Sequence, residues 1–192
     1  MLFTGNKIKI DKTLNQLDKE VLEFTKIISR YANYVIVSGY VAILLGRSRT
    51  TEDIDIFVDV KNKKTFENMY RALLKKGYWC LNAEDVKSAY VYLQQGISIR
   101  FAKKNLVIPN FEVKIPKDKL DRETLRNATD VVLPKGKIKI APIEMQIAFK
   151  RYYLKSPKDI EDAYYLEELF KGKINKEKIL KYKKEIEGRW IA

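Results

Sequence analysis

Residues 35–60 read VIVSGYVAILLGRSRTTEDIDIFVDV. With Tyr34 ahead of it, the β-branched run Val35-Ile36-Val37 predicts a short buried strand ending at Ser38. Ser38-Gly39 is a small-residue turn, Gly39 to Leu45 is apolar and helical, and Gly46 is a natural stop. Arg47 to Glu52 is polar and predicts a loop. From Asp53 to Val60 acidic and apolar residues alternate, which is strand periodicity. Side chains two apart on a strand share a face, so Asp53 and Asp55 project together while Ile54 and Ile56 point into the core. Two adjacent carboxylates repel each other, and a divalent cation between them removes that cost. Such a cation can bind the phosphate oxygens of a nucleotide and activate an attacking hydroxyl. Backbone amides at a turn opening a helix, here Ser38 and Gly39, are suited to hold phosphate. An Asp-x-Asp pair alone is common and often no more than solvated acids. Its place after strand, Ser-Gly and helix is what gives it meaning.

The composition narrows the chemistry. The chain of 192 residues contains no histidine, which removes Ser-His-Asp and Cys-His catalysis and the commonest zinc ligand. Carboxylate-only sites favour hard cations such as Mg2+ or Mn2+. One cysteine, Cys80, rules out an intramolecular disulfide framework. No apolar run approaches a membrane span, and residues 1–11 lack the apolar stretch of a signal peptide, so a cytoplasmic protein without membrane attachment is expected. The net charge of +13 suits a polyanionic partner, nucleic acid first, although lysine-rich surfaces also serve solubility and heat adaptation.

The order Val35-Ile36-Val37, Ser38-Gly39, Tyr40 to Leu45, Asp53-Ile54-Asp55 resembles the nucleotidyltransferase superfamily of polymerase beta type. With Gly46, Arg49, Thr50, Thr51 and Ile56 added, it is similar to the AbiEii-like and minimal nucleotidyltransferase branches. The resemblance implies an α/β (α+β) fold: a mixed sheet core flanked by helices, with a C-terminal helical region. It implies transfer of a nucleoside monophosphate from an NTP to a hydroxyl, with Mg2+ or Mn2+ held by Asp53, Asp55 and a third acid, and with pyrophosphate leaving. Ser38 departs from the family's usual first glycine. The strand where the third carboxylate is expected carries Arg100, so Glu112 on the next strand is nominated, its alternative being an ordinary pair with Lys114. Some members are toxins of toxin–antitoxin or phage-defence systems, which brings an antitoxin-type partner into view.

The resemblance extends more weakly through residues 140–169. There a lysine on one helix and Lys-Asp-x-x-Asp on the next match Lys150 and Lys158-Asp159-Ile160-Glu161-Asp162. It implies that Lys150 and Lys158 bind nucleotide and that Asp159 or Asp162 serves as general base near the acceptor hydroxyl. Read locally, Ser156-Pro157-Lys158-Asp159 is a helix start with Ser156 as N-cap, and acids in the first turns stabilise any helix. Arg49, and less directly Arg47, precede the acidic strand and suit phosphate oxygens.

Elsewhere, helices are expected at 14–31, 63–76, 118–126, 142–154 and 174–187, the first residue of the fourth being Pro142. Ser88–Gln94 and Ile97–Ala102 around Gln95-Gly96 predict a hairpin, Asn110–Ile115 a strand, and Val131–Ile140 two β pieces. Residues 1–116 then form the α/β core and 117–192 a mostly helical region completing one cleft. The acceptor expected from the charge is RNA, a tRNA end above all, with protein as the other macromolecule. A catalytically silent nucleotide- or RNA-binding module of the same fold is the alternative function.

Overall fold

Along β4 (Asp53–Asp59) burial alternates: Ile54, Ile56 and Val58 are fully buried, while Asp53, Asp55 and Phe57 face the other way and are partly exposed. β4 is antiparallel to β3 (Asn33–Ile36) and parallel to β7 (Asn110–Lys114). In this computed structural model, which describes residues 1–188, β4 lies inside a nine-stranded mixed sheet. Residues 189–192, the end of the expected helical region, lie outside the described residues.

The remaining strands are β1 (Leu2–Thr4), β2 (Lys7–Lys9), β5 (Tyr78–Cys80), β6 (Ile99–Lys103), β8 (Thr129–Leu133) and β9 (Gly136–Ile140), and the sheet order is β1-β2-β8-β9-β3-β4-β7-β6-β5. The helices are α1 (Gln16–Ile28), α2 (Gly39–Leu44), α3 (Lys63–Lys75), α4 (Val86–Gln94), α5 (Lys119–Arg126), α6 (Ile143–Phe149), α7 (Pro157–Leu169) and α8 (Lys176–Gly188). This is the expected mixed α/β architecture. Among the described residues no helix is long and apolar enough to cross a membrane.

One sheet face is dry. α1 starts in a capping box between Asn15 and Asp18 and buries Val21, Phe24 and Ile28 against that face, with the Phe24 ring stacked on Phe111 at 3.9 Å. On the other face, Val35, Ala128 and Ala141 form a smaller cluster bordered by Val37, Phe57 and Leu125. That side carries the acids and stays partly open.

Several local readings change. Residues 88–94 belong to helix α4, not a hairpin strand. Asp85 and Ser88 form its capping box, and Ala89 and Leu93, one turn apart, bury together. The aromatic and β-branched residues there mimic strand composition. β1, β2 and β5 leave no sequence signal, because three-residue strands carry too little periodicity. Pro142 caps α6 from outside, with φ −51° and ψ 141°, and α6 runs on into a π-helical turn over Lys150–Leu154.

Ser38 holds φ 66° and ψ −137° at the turn before α2 and makes no side-chain cap hydrogen bond. A residue with a Cβ is strained there by roughly 1–3 kcal/mol, which explains why glycine suits this turn. Glycine also frees the unfolded chain, which offsets part of the gain. Ser38→Gly should therefore stabilise the protein by about 1 kcal/mol. Urea unfolding checks this: the midpoint should rise with an unchanged slope, and an unchanged or lower midpoint would show that the turn carries no strain.

Candidate active site

Asp53 and Asp55 leave β4 on the same face, as the alternation requires. The parallel register sets Asp55 beside Glu112 and Asp53 beside Asn110, while β6 sets Arg100 beside Glu112. The nominated third acid thus occupies the rung next to Asp55. Its carboxylate is already engaged: Ser98 Oγ donates to Oε1 at 2.8 Å, Arg100 lies 3.3 Å from Oε2, and Lys114 Nζ lies 3.0 Å from Oε1. The same Lys114 ammonium reaches Asp55 Oδ1 at 2.7 Å. One lysine therefore bridges two neighbouring acids. Among the described residues, no three acidic, histidine or cysteine side chains already converge as a metal-ligand group.

Burial pushes the Asp55 carboxyl above its ordinary value; Lys114 opposes this, and Asp53 and Glu112 add to it. Glu112 moves the other way. Burial pushes it up, but Ser98, Lys114 and Arg100 outweigh burial and hold it below the ordinary glutamate value. Burial also works against the Lys114 ammonium, yet its two carboxylates win and its pKa rises. Asp55 binds its proton more tightly because a single ammonium cannot offset a desolvated carboxylate with two acidic neighbours, and Lys114 binds its own more tightly because both carboxylates face it.

A second cluster sits where α7 meets the loop after α2. Lys150 is completely buried, with Nζ 3.1 Å from Asp159 Oδ1 and 2.8 Å from Asp162 Oδ2. Asp159 also accepts a hydrogen bond from the Ser156 hydroxyl, and the Ser156 Oγ accepts from the Asp159 amide. Asp162 is fully buried and draws in Arg47 (Nε to Oδ1, 2.6 Å) and Arg49 (Nη2 to Oδ2, 3.3 Å), while Arg47 also pairs with Glu161. Lys150, Asp159 and Asp162 come together in an internal ion network. Lys158 stands apart, exposed on the first turn of α7.

Arg49 links the two clusters. Its guanidinium packs so closely on Gly39 that a Cβ there would lie 2.2 Å from an Arg49 nitrogen. Thr51, two residues on, donates to the Asp53 carbonyl at 2.9 Å. The Tyr165 hydroxyl of α7 donates to the Leu45 carbonyl at 2.9 Å and fits only because Gly46, at φ 110°, has no side chain. α7 thus fixes the loop that leads into the acidic strand.

Beside Asp55, Ser38 and Lys114 opens a cleft of about 630 Å³. Its far walls come from α5, α6 and the turn after it, with Thr124, Met145, Gln146, Phe149 and Tyr153. Ser98, Lys114 and Gln146 carried no distinctive sequence signal. Only the spacing of Lys114, two after Glu112 on one strand, hinted that it would share the face.

Two outcomes follow. Because the folded protein holds the Asp55 proton more tightly than the unfolded chain, Asp55 favours folding below its ordinary value of 3.8 and opposes it once pH exceeds the raised value. Asp55→Asn should therefore raise Tm at pH 7 in chelator, with the gain vanishing as pH falls below that ordinary value. A lower Tm at pH 7 would mean that the Lys114 bridge outweighs burial. Second, Gly39→Ala should displace Arg49, so Gly39→Ala and Arg49→Ala should be non-additive by about 0.5–3 kcal/mol in a double-mutant cycle. Additive effects would separate the two residues.

Comparison with known proteins bears on the fold and the family. A crystal structure of an antigenic nucleotidyltransferase-like protein from Paracoccidioides brasiliensis shares the fold at a TM-score of 0.55 and 17% identity, over 89% of this chain and 87% of that one. No curated protein matches the chain. Residues 16–189 match the family described as nucleotidyl transferase of unknown function (DUF2204), and the chain belongs to that family.

Proposed function

We propose that the protein transfers a nucleoside monophosphate from an NTP to a hydroxyl acceptor with the help of Mg2+ or Mn2+. The observation that carries this reading is the acidic face itself. Asp53, Asp55 and Glu112 stand on adjacent strands, in register, and Asp55 lines a cleft bordered by Ser38. The acids fit a cation, because they already recruit one: Lys114 stands in for it between Asp55 and Glu112. Asp53 and Asp55 would hold the ion, with Glu112 as third acid. When bound, the ion neutralises phosphate charge and polarises the reacting phosphoryl group.

The chain's own residues do the rest. The Ser38-Gly39 turn allows close approach of phosphate, and Arg49 lies against it. Lys150, Asp159 and Asp162 hold the loop carrying Arg49 and Thr51. In this geometry Lys150 meets the nucleotide's charge only through Arg49, and Asp159 or Asp162 reaches a hydroxyl only where the network opens. Lys158, exposed on α7, is available to a phosphate from outside.

A second reading has a specific observation in its favour. Glu112 is held by Arg100 and Lys114 together, and a fixed ion pair there suits a silent nucleotide- or RNA-binding module. Calorimetry with each NTP and Mg2+ or Mn2+, followed by transfer assays with labelled NTP, separates the two. The wild type should bind NTP only with the metal, and Asp53→Ala with Asp55→Ala should abolish that binding while leaving the fold intact. Metal-independent NTP binding that survives the double substitution would leave the silent module.

The acceptor favoured is RNA, a tRNA end above all. The +13 charge and the exposed lysines of α8, including Lys178, Lys181 and Lys184, supply a surface for phosphates. Affinity for total tRNA should fall steeply with salt, and replacing those three lysines should flatten the slope. Label on protein instead of RNA would point to protein nucleotidylation, the chemistry that a toxin restrained by an antitoxin-type partner could use.

A further inference from the structure

Lys114 holds the acidic face in a state that resists a second cation. A carboxylate oxygen offers two lone pairs. Glu112 Oε1 spends both, on the Ser98 hydroxyl at 2.8 Å and on Lys114 Nζ at 3.0 Å. Its Oε2 faces Arg100 at 3.3 Å. Lys114 Nζ also lies 2.7 Å from Asp55 Oδ1. A divalent cation drawn by Asp55 and Glu112 therefore competes with this ammonium for the same oxygens. Like charges at such spacing repel strongly in a half-buried site, so ion and ammonium do not share it.

The ammonium has somewhere to go. Lys114 ends β7, its side chain is 34% exposed, and it lines the cleft together with Asp55 and Ser38. A lysine is a compact charge on a flexible four-carbon stem, so it changes acceptors by rotamer change alone. What it needs is another anion within the cleft. A nucleotide's phosphate chain is one, and Ser38, at the turn that admits phosphate, borders the same cavity. The carboxylates of Asp118 and Asp121 line it too and are the rival destination.

We infer that Lys114 couples metal to nucleotide: it keeps a divalent cation off Asp55 and Glu112 until phosphate oxygens take over its ammonium. The inference rests on the proposed nucleotidyltransferase reading and adds a rule of assembly to it. Metal alone displaces the lysine with no phosphate to receive it, and so binds poorly. With metal and NTP together every charge finds a partner, the carboxylates facing the ion and the lysine facing the phosphates. Linkage makes the coupling reciprocal, so the lysine that weakens metal alone strengthens metal and nucleotide together.

The test compares the wild type with Lys114→Met and Lys114→Gln. Mn2+ alone, followed by the electron paramagnetic resonance of the free ion, should bind both variants about 10–100-fold more tightly than the wild type. Preformed Mn2+–NTP, with whichever of the four nucleotides the wild type binds best, should bind both variants about 5–50-fold more weakly by calorimetry. A lysine that only binds phosphate would weaken the second complex and leave the first unchanged. One that only supports the fold would weaken both. Either outcome overturns the inference. Tighter Mn2+ with unchanged Mn2+–NTP also overturns it, with Asp118 or Asp121 receiving the ammonium. In the wild type itself, excess Mn2+ should speed acetylation of Lys114, mapped by peptide mass spectrometry, and NTP added with it should slow the reaction again. Reactivity indifferent to both overturns the inference even if neither variant folds. If the wild type bound no Mn2+–NTP, the nucleotidyltransferase reading would fall as well; Mn2+–NTP binding that ignores Lys114 would overturn this inference alone.

Discussion

Asp55 and Glu112 share one rung of a parallel strand pair, with Asp53 one step along the same face. Sheet register leaves these acids no room to separate, and half-buried carboxylates at that spacing repel unless positive charge is supplied. Much of the surrounding structure answers this constraint. Lys114 reaches back along its own strand to both acids, and Ser98 and Arg100 engage Glu112 from the neighbouring strand. The result is asymmetric. Glu112 is well supplied with donors and stays ionised easily, whereas Asp55 is left wanting charge. An incoming divalent cation would meet its strongest demand at Asp55.

The buried network around Asp162 performs a different task on similar chemistry. Removing one partner from a buried ion cluster leaves an uncompensated charge, which is far more costly than never having built the cluster. Lys150, Arg47 and Arg49 are thereby tied to α7, and the loop between α2 and β4 is tied with them. The lysine and aspartates that sequence resemblance associates with nucleotide in this region are paired with one another and, through Asp162, with Arg47 and Arg49 of that loop. Arg49 thus touches both sides: it packs on Gly39 beside the pocket face and pairs with Asp162 of α7.

The elements that set the acids were legible because their signals are local. Alternation over 53–60, the small-residue turn and the apolar helix of 39–45 each follow from neighbours in sequence. The strand over 110–115 was legible on the same grounds, whereas the nomination of Glu112 as third acid came from the family resemblance. What escaped depends on partners far along the chain. No local pattern shows that Lys114 would bridge two acids, that Lys150 would be sealed from solvent, or that Gln146 would face a cavity. Residues 88–94 misled for the opposite reason: strand-favouring side chains there are overruled by a capping box and by the burial of Ala89 and Leu93. The expected division near residue 116 is crossed by the sheet, since β8 and β9 sit between β2 and β3.

That crossing bears on how the chain reaches its folded state. β9 pairs with β3, and β8 with β2, so Tyr34 meets Lys139 across 105 positions and Asn6 meets Ala128 across 122. Closing such long loops costs entropy before any contact rewards it, so assembly should be slow for a chain of this size. During synthesis β3 can pair with β4 early, but its other edge has no partner until residue 140 has left the ribosome. For that interval a run of Tyr34, Val35 and Ile36 presents an open strand edge, the kind of template on which chains associate wrongly. The acidic face lies one strand away, and its repulsion works against face-to-face stacking of two such intermediates.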